Sequence, residues 1–345
     1  MGRNLYRTGE DMKQIKCEGE RKGLTGESLD CGSFSYRLEM DWAKWPDQMR
    51  HMTVLNCCWG GGGFLYVVTG NQDVPVVVFD HDGNACKTIA QGMFGKSHSV
   101  SYTKNGTLLV ADAHKNAHVI REITAEGKEV RVFGTKGVPG DSGYDFDYLE
   151  TMQKRGENPT ETKWNKNAAS NARIDSIRRR GLPFCRPCGM IMTPDGEYFA
   201  ADGYGNCAVH HFDGDGTYIK SWGAPEDFRV VHSICMDRQG RLWVADRENC
   251  RVKLFDTEGN LLAVAEGNLS RIGTVFTDDK YLYAAELDGG VTLIDLDTLE
   301  VAAQLGAPGD AVLKVHGICV DDGGNIYLAT NKANENNLIR LARME

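Results

Sequence analysis

Five stretches of this chain align without a gap: HSVSYTKNGTLLVAD (98–112), CGMIMTPDGEYFAAD (188–202), HSICMDRQGRLWVAD (232–246), IGTVFTDDKYLYAAE (272–286) and HGICVDDGGNIYLAT (316–330). Each begins with an apolar run, passes through a polar turn that is usually rich in Asp, Asn or Gly, and ends with a second apolar run closed by Ala-Asp or a related pair. Two apolar runs joined by such a turn predict a β-hairpin. The recurrence of one unit along the chain predicts a repeat architecture.

Each hairpin continues into a third and a fourth strand, such as CRVKLFD (250–256) and YIKSWG (218–223). Four antiparallel strands per repeat form one blade of a β-propeller. A less regular copy over 52–91 raises the number of blades to six. Only three strands follow His316, so we expect FSYRLEM (34–40) to complete the last blade and leave no open edge. The sequence therefore predicts an all-β fold, a six-bladed β-propeller.

Two segments lie outside the repeats. Residues 1–32 are polar and predict a flexible or surface-draped N-terminal arm, which leaves 33–345 for the propeller. Residues 137–183 interrupt the ring between blades two and three and are too many for a passive loop. Strand polarity places this insertion on the top face, so we predict a lid-like segment with a short basic helix over 172–181.

Composition narrows the possible partners and the compartment. The chain has 345 residues, of which 41% are hydrophobic and 25% charged, as in ordinary globular proteins. Its net charge of -9 argues against nucleic acid as a partner, because phosphate binding needs a basic surface. No apolar run is long enough for a membrane span, and the N-terminus lacks the apolar region of a signal peptide. We therefore expect a cytoplasmic protein without a nucleic-acid or membrane partner; the sequence predicts no oligomeric state.

The eleven cysteines are mostly predicted to be reduced thiols of the core, because several lie inside strand-like runs. Cys185 and Cys188 form one CxxC pair, and no second pair follows at zinc-ribbon spacing. A lone pair is a weak metal or redox signal, and we favour a structural role for it.

Three histidines occupy the first position of the aligned unit. His98, His232 and His316 begin the units of blades two, four and six, which places them at the mouth of the central channel on alternate blades. The other blades have Cys188, Ile272 and approximately Leu55 at this position.

Three imidazoles that converge on one axis, with no fourth protein ligand, predict a catalytic zinc site with an open position for substrate. Another divalent transition metal would suit the same ligands. The alternative is that each histidine only fills a turn position. Three of nine histidines at equivalent positions in alternate blades favour the metal site.

The loops that follow the second strands share the face of the histidines and present Tyr204 and Arg247. A tyrosine there could act as a base or as an oxyanion donor if a nearby cation lowered its pKa, and an arginine could hold a carboxylate with two hydrogen bonds. The alternative is structural, because Asp-x-x-Asn turns cap their own loops. In the insertion, Trp164 and Tyr144 are candidates either to close over a ligand or to fix the insertion to the propeller.

The run ADGYGNCAVHHFDGDGTYIKSWG (201–223), followed by VVHSICMDRQGRLWVADRENCRVKLFD (230–256), resembles the peptidyl-α-hydroxyglycine α-amidating lyases, which are NHL-repeat propellers. The likeness covers about 34–345 and includes DVPVVVFDHDG (73–83) and GDSGYD (140–145). It implies zinc ligands at His98, His232 and His316, a catalytic tyrosine at Tyr204 and a functional arginine at Arg247.

Two positions depart from the pattern of that family. Gly70 and Asn71 stand where the family has a catalytic arginine, and Gly317 stands where it has an aspartate that helps to bind a structural Ca²⁺, so the resemblance does not support a calcium site. We therefore expect a zinc-dependent lyase for a small, carboxylate-bearing, α-hydroxylated or similarly labile substrate. The alternatives are a related hydratase or hydrolase, and a non-catalytic propeller that binds a protein or peptide on its top face.

Overall fold

The computed structural model describes residues 12–156, 173–307, 310, 313–331 and 337–344. Its sheets are six blades of a β-propeller. Three strands precede blade one, β1 (Lys13–Cys17), β2 (Ser28–Cys31) and β3 (Phe34–Glu39). Blade one contains β4 (Asn56–Gly60), β5 (Phe64–Val68), β6 (Val76–Phe79) and β7 (Ala85–Ile89). Blade two contains β8 (Ser97–Tyr102), β9 (Thr107–Asp112), β10 (Val119–Thr124) and β11 (Glu129–Gly134).

The next three blades follow the same four-stranded pattern. Blade three contains β12 (Gly189–Met192), β13 (Tyr198–Asp202), β14 (Ala208–Phe212) and β15 (Tyr218–Trp222). Blade four contains β16 (Val231–Met236), β17 (Leu242–Asp246), β18 (Arg251–Phe255) and β19 (Leu261–Gly267). Blade five contains β20 (Ile272–Thr277), β21 (Tyr281–Glu286), β22 (Val291–Asp295) and β23 (Val301–Leu305).

Blade six is closed by a strand from the other end of the chain. Its strands are β24 (Gly317–Val320), β25 (Ile326–Ala329) and β26 (Leu338–Arg343), and β26 pairs antiparallel with β3. The predicted closure of the ring by 34–40 is therefore confirmed, and the all-β six-bladed propeller is confirmed with it. Because N-terminal and C-terminal strands share one sheet, neither leaves an open edge between the first and last blades.

Burial explains why the inner strands are uniformly apolar. The second and third strands of a blade are covered on both faces by the neighbouring blades, as in β5, β6, β13 and β17, where every residue except Phe64 is buried. The fourth strands lie at the rim, and β7 and β15 are mostly accessible to solvent. The inner strands therefore lack the alternation of apolar and polar residues that is typical of a half-exposed sheet, while the outer strands carry the polar residues.

Blade five differs from the others by one residue in its first turn. In blade four, the turn joins Asp237 N–H to the Arg241 carbonyl, whereas in blade five Asp278 N–H donates to the Tyr281 carbonyl, one residue closer. The ladder places Thr274 opposite Ala285, as it places Ser233 opposite Ala245. The expected equivalence of Ile272 with the first-position histidines is therefore wrong, and the equivalent residue is Gly273.

The described part of the N-terminal arm lies against the propeller. Strand β1 pairs parallel with β19 of blade four, and β2 pairs with β3 of blade six. Between them, the Arg21 guanidinium forms a buried ion pair with Glu286 of blade five at 2.7 Å. Residues 12–32 therefore lie along the propeller, and β1 and β2 extend blades that would otherwise end in a solvent-facing edge.

The insertion follows β11 and precedes β12. Its described residues include helix α1 (Tyr148–Lys154), and the insertion packs on blade three through Ile174 and Ile177, which join a core cluster with Phe199 and Phe228. The predicted basic helix over 172–181 is wrong in its extent, since among the described residues 173–181 helical backbone ends at 174 and 175–181 form turns and irregular backbone. Trp164 lies outside the described residues.

None of the helices in the described parts of the chain has the length and apolar character needed to cross a membrane.

Candidate metal centre

His98, His232 and His316 meet on the propeller axis. One ring nitrogen of each lies within 4.8 Å of one on each of the others, and the three ring centroids are 4.9 to 5.1 Å apart. All three side chains are buried. His98 and His232 are each the extra residue of a bulge at the start of the first strand, a device that redirects a side chain. The sequence-predicted triad is therefore brought together.

Each histidine is oriented by the next blade of the ring. The Nδ1 atoms of His98 and His316 hydrogen-bond to the backbone carbonyls of Cys188, at 2.9 Å, and Leu55, at 2.6 Å, and that of His232 to the Gly273 carbonyl. These acceptors are the first-position residues of blades three, one and five. Because Nδ1 is the donor to a carbonyl in all three rings, Nε2 is the lone-pair nitrogen that faces the shared centre.

The environment keeps these rings neutral. Burial lowers the pKa of His98 and His232 well below the usual range and that of His316 to about 4, and the charges of Lys96 and Arg247 act in the same direction on His98 and His316. Neutral imidazole is the form that binds a metal ion. Three uncharged imidazoles are therefore available at the axis at neutral pH.

Tyr204 lies directly beside two of the histidines. Its hydroxyl is 2.9 Å from Nε2 of His98 and 3.0 Å from Nε2 of His232, and it accepts a hydrogen bond from Arg247 at 3.3 Å. One phenol proton cannot satisfy the lone pairs of three Nε2 atoms, whereas a cation bound between them would. The donor set therefore fits a divalent transition metal with three imidazole ligands and an open position.

Arg247 begins a short 3-10 turn, Arg247–Asn249, directly after β17. Its guanidinium is buried, hydrogen-bonds Glu248 at 2.7 Å and lies 5.1 Å from the centre of the Tyr204 ring. Burial raises the pKa of Tyr204, and Arg247 lowers it by less. Arg247 alone therefore does not lower the pKa of Tyr204 enough to make it a base, as the sequence analysis had considered. Further positive charge at the axis is required to lower this pKa.

The loops themselves are held by the capping carboxylates that the sequence predicted. Asp246 accepts hydrogen bonds from Arg229 N–H and the Asn249 amide, and Asp202 accepts one from Cys185 N–H. Each aspartate thus ties the loop after its own second strand to the segment that leads into the blade. The structural and the functional interpretations of these loops therefore apply to different residues. The aspartates cap the loops, whereas Tyr204 and Arg247 face the axis.

A cavity of about 430 Å³ opens above His316, Tyr204 and Arg247. Besides Arg247, five basic residues line it, namely Lys96, Arg173, Arg186, Arg271 and Lys314. The described lining residues include no Asp or Glu. Tyr144 and Ile174 of the insertion also line it, so the insertion lies over the site. The predicted site residues therefore share one strongly cationic cavity in an acidic protein.

A larger cavity of about 600 Å³ runs along the channel on the other side of the triad. Its walls are the first strands of the blades, and it contains His232 but neither Tyr204 nor Arg247. The chemistry that the residues support belongs to the smaller cavity.

Four of the cationic lining residues were missed by sequence reasoning. Lys96, Arg186, Arg271 and Lys314 each stand two residues before the first position of a blade, once Gly273 is taken as that position in blade five. The signal was present in the repeat, but it needed the corrected alignment of blade five. Arg186 also contacts Tyr204, with its guanidinium carbon 5.3 Å from the ring centre.

The remaining candidates lie away from the axis or have structural contacts. His210 and His211 pair with Asp202 and Glu197, and His118 accepts a hydrogen bond from Arg186 N–H at 3.2 Å. Cys185 and Cys188 are buried free thiols, and burial raises the pKa of each to about 12. A thiol so resistant to ionisation is a poor nucleophile and metal ligand.

Replacing Gly273 with alanine is expected to weaken metal binding by about 10- to 100-fold, the range for a lost second-shell contact. A Cβ at Gly273 would lie 2.5 Å from the His316 carbonyl oxygen and 2.9 Å from its Cα, so it must displace His316 or the carbonyl that orients His232. Zinc titration against a chromophoric chelator measures the effect. Gly214→Ala is the matched control, because a Cβ there meets its nearest atom at an ordinary 3.6 Å. Equal zinc affinities of the two variants would contradict the orienting role.

Comparisons with known proteins find an NHL repeat in this chain and amidating lyases among its relatives. The NHL repeat model matches residues 228–255. The chain is 24% identical over 271 residues to NHL repeat-containing protein 3 of Homo sapiens, covering 73% of this chain and 67% of that protein. It is 23% identical over 211 residues to the probable peptidyl-alpha-hydroxyglycine alpha-amidating lyase pgal-1 of Caenorhabditis elegans, covering 57% of this chain and about half, 49%, of that protein.

A shorter match, 40% identical over 90 residues, covers 23% of this chain and 10% of the peptidyl-glycine alpha-amidating monooxygenase A of Xenopus laevis. Among solved structures, a gluconolactonase of Xanthomonas campestris superposes with a TM-score of 0.60 at 12% identity, covering 94% of this chain and 97% of that chain, a likeness that shows the fold. The chain is a six-bladed propeller that contains an NHL repeat and has amidating lyases among its relatives, as the sequence predicted.

Proposed function

We propose that this protein is a zinc-dependent lyase that acts on a small, carboxylate-bearing, α-hydroxylated substrate, with cleavage chemistry related to that of the amidating lyases. The observation that carries the proposal is the triad of neutral imidazoles with Nε2 atoms aimed at one point beside a buried phenol. A scaffold for protein binding has no need of three converging lone pairs at the bottom of a cationic cavity.

His98, His232 and His316 would hold a divalent metal, which would supply a Lewis acid able to acidify a substrate hydroxyl. We assign the role of proton acceptor to Tyr204, because its hydroxyl lies within hydrogen-bond distance of both His98 and His232. Its pKa is raised by burial, so a bound cation is required before the phenol can lose its own proton and accept another. The tyrosine and the metal therefore act as one unit.

Arg247 holds the carboxylate beside the reacting carbon. Its guanidinium keeps one nitrogen on Glu248 and another on Tyr204, so its position is fixed before the substrate arrives. A fixed arginine loses little conformational entropy on binding and aligns the substrate with the phenol.

The insertion acts as the lid of this site. Tyr144 lines the cavity and its hydroxyl accepts a hydrogen bond from Arg186 at 3.0 Å, while Ile174 packs into the core of blade three. A cover anchored at both its ends excludes water from the cavity and strengthens the electrostatic contacts within it.

The test is the metal content of the protein purified without chelators, followed by turnover of hydroxylated amides and acids. We expect about one zinc per chain, because a three-imidazole site with a fixed second shell retains its metal through purification. We further expect turnover that is lost on chelation and restored by Zn²⁺. Hydrolysis or hydration products would instead assign the chemistry to a related hydrolase or hydratase. A protein that lacks stoichiometric metal and turns nothing over would be a binding module.

A further inference from the structure

The cations around the cavity follow the repeat. Lys96, Arg186, Arg271 and Lys314 occupy one equivalent position in blades two, three, five and six, and all four line the same cavity. Blades two and three stand opposite blades five and six in a ring of six. The four cations therefore form two pairs on opposite sides of the mouth, Lys96 with Arg186 and Arg271 with Lys314.

The first pair lies on the side of Tyr204 and Arg247. The guanidinium carbons of Arg186 and Arg247 are 5.3 and 5.1 Å from the centre of the Tyr204 ring. Lys96 of the neighbouring blade two lines the same cavity as Arg186. This side has the cations needed for a carboxylate beside the reacting carbon.

The second pair lies across the cavity from that side. Arg271 contacts Asp288 at 3.2 Å, and Lys314 has a solvent-accessible side chain. Within the described part of the chain, no carboxylate is paired with Lys96, Arg186 or Lys314. A single carboxylate at Arg247 would leave Lys314, on the opposite side, without an anionic group of the substrate, and a cavity of about 430 Å³ has the volume to hold a small acid.

We infer that the substrate is a small acid with two anionic groups that span the mouth of the cavity. Arg247, Arg186 and Lys96 bind the carboxylate beside the hydroxylated carbon, and Lys314 with Arg271 binds the second group, a carboxylate or a phosphate. This inference rests on the proposed function, since it places the hydroxylated carbon over the histidine triad. It makes Lys314 a residue that determines specificity and does not take part in the chemistry.

The experiment compares matched acids in the zinc-loaded protein by isothermal titration calorimetry at 0.15 M salt. 2-Hydroxyglutarate is paired with the monoanion 2-hydroxybutyrate, and 3-phosphoglycerate with glycerate. In at least one pair, we expect the acid with two anionic groups to bind about 10- to 100-fold more tightly, the equivalent of one charge-assisted hydrogen bond. The pair with the larger ratio identifies the second group as carboxylate or phosphate.

The variants separate the two sides of the mouth. Lys314→Met should abolish the preference for the acid with two anionic groups and leave the affinity for the monoanion unchanged, whereas Lys96→Met should weaken the binding of both by a similar factor. Lys128→Met, an exposed lysine of blade two outside the cavity, is the matched control and should behave like the unmodified protein. Melting temperatures establish that each variant is folded.

Four results would overturn the inference. Equal binding of both members of each pair, or a preference that survives in Lys314→Met, rules out the second anionic group while the lyase proposal stands. Binding of 2-hydroxybutyrate or glycerate that is as strong without zinc as with it removes the metal from substrate recognition and with it the proposed function. If zinc-loaded protein binds none of the four acids, both proposals are wrong.

Discussion

Replacing His98, His232 or His316 with alanine is expected to lower the zinc affinity by more than about 100-fold in each case, beyond the range for a second-shell contact. The three rings are equivalent in geometry, since each donates from Nδ1 to the next blade and presents Nε2 to the axis. A site held by three equivalent ligands should lose its metal when any one of them is removed. Elemental analysis and chelator competition measure the loss.

The propeller should remain folded in all three variants. Its core is the packing of blade against blade, and the histidines lie at the end of the channel above that core. His81→Ala is the control, because this histidine is exposed in a turn of blade one and should leave the zinc affinity unchanged. Normal zinc binding by any one of the three triad variants would show that the metal lies elsewhere.

The propeller and its triad were predictable from the sequence for one physical reason. Equivalent positions in a closed ring must face the axis at the same height, so counting residues from the Ala-Asp pair was enough to bring His98, His232 and His316 together. The closure of blade six by 34–40 followed from the number of strands alone.

What the sequence missed depends on small local differences. The turn of blade five is one residue shorter, which shifts the axis-facing position from Ile272 to Gly273 and hides Arg271 from the pattern of basic residues. A shorter turn leaves the second strand unchanged, so counting back from the end of that strand gives Ile272 and not Gly273 as the axis-facing residue. The balance of burial and charge that sets the pKa of Tyr204 likewise depends on side chains from two blades and is invisible in the sequence.

The insertion was harder to predict for a different reason. The basic run over 172–181 has helix-forming residues, but its apolar members Ile174 and Ile177 are needed in the core of blade three. Tertiary packing therefore decides the backbone there, and local propensity does not. The same packing positions Tyr144 over the cavity.

Replacing Tyr204 with phenylalanine is expected to lower turnover by about 10²- to 10⁴-fold, the usual contribution of a general base, with the zinc content unchanged. The phenyl ring keeps its contacts with Arg186 and Arg247, and Arg247 loses its hydrogen bond to the hydroxyl but keeps the shorter one to Glu248, so the substrate affinity should change far less than turnover. The loss should therefore appear in kcat and not in KM.

Tyr218→Phe is the matched control for this experiment. Tyr218 lies on the exposed fourth strand of the same blade and hydrogen-bonds Ser221, so its variant loses a hydroxyl without touching the cavity. The experiment separates proton transfer to Tyr204 from proton transfer to water. Among the described residues, Tyr204 provides the only hydroxyl that lies within hydrogen-bond distance of two of the metal-facing Nε2 atoms. If Tyr204→Phe keeps full turnover while each histidine variant loses it, the proton goes to a metal-activated water and the tyrosine serves only to pack the site.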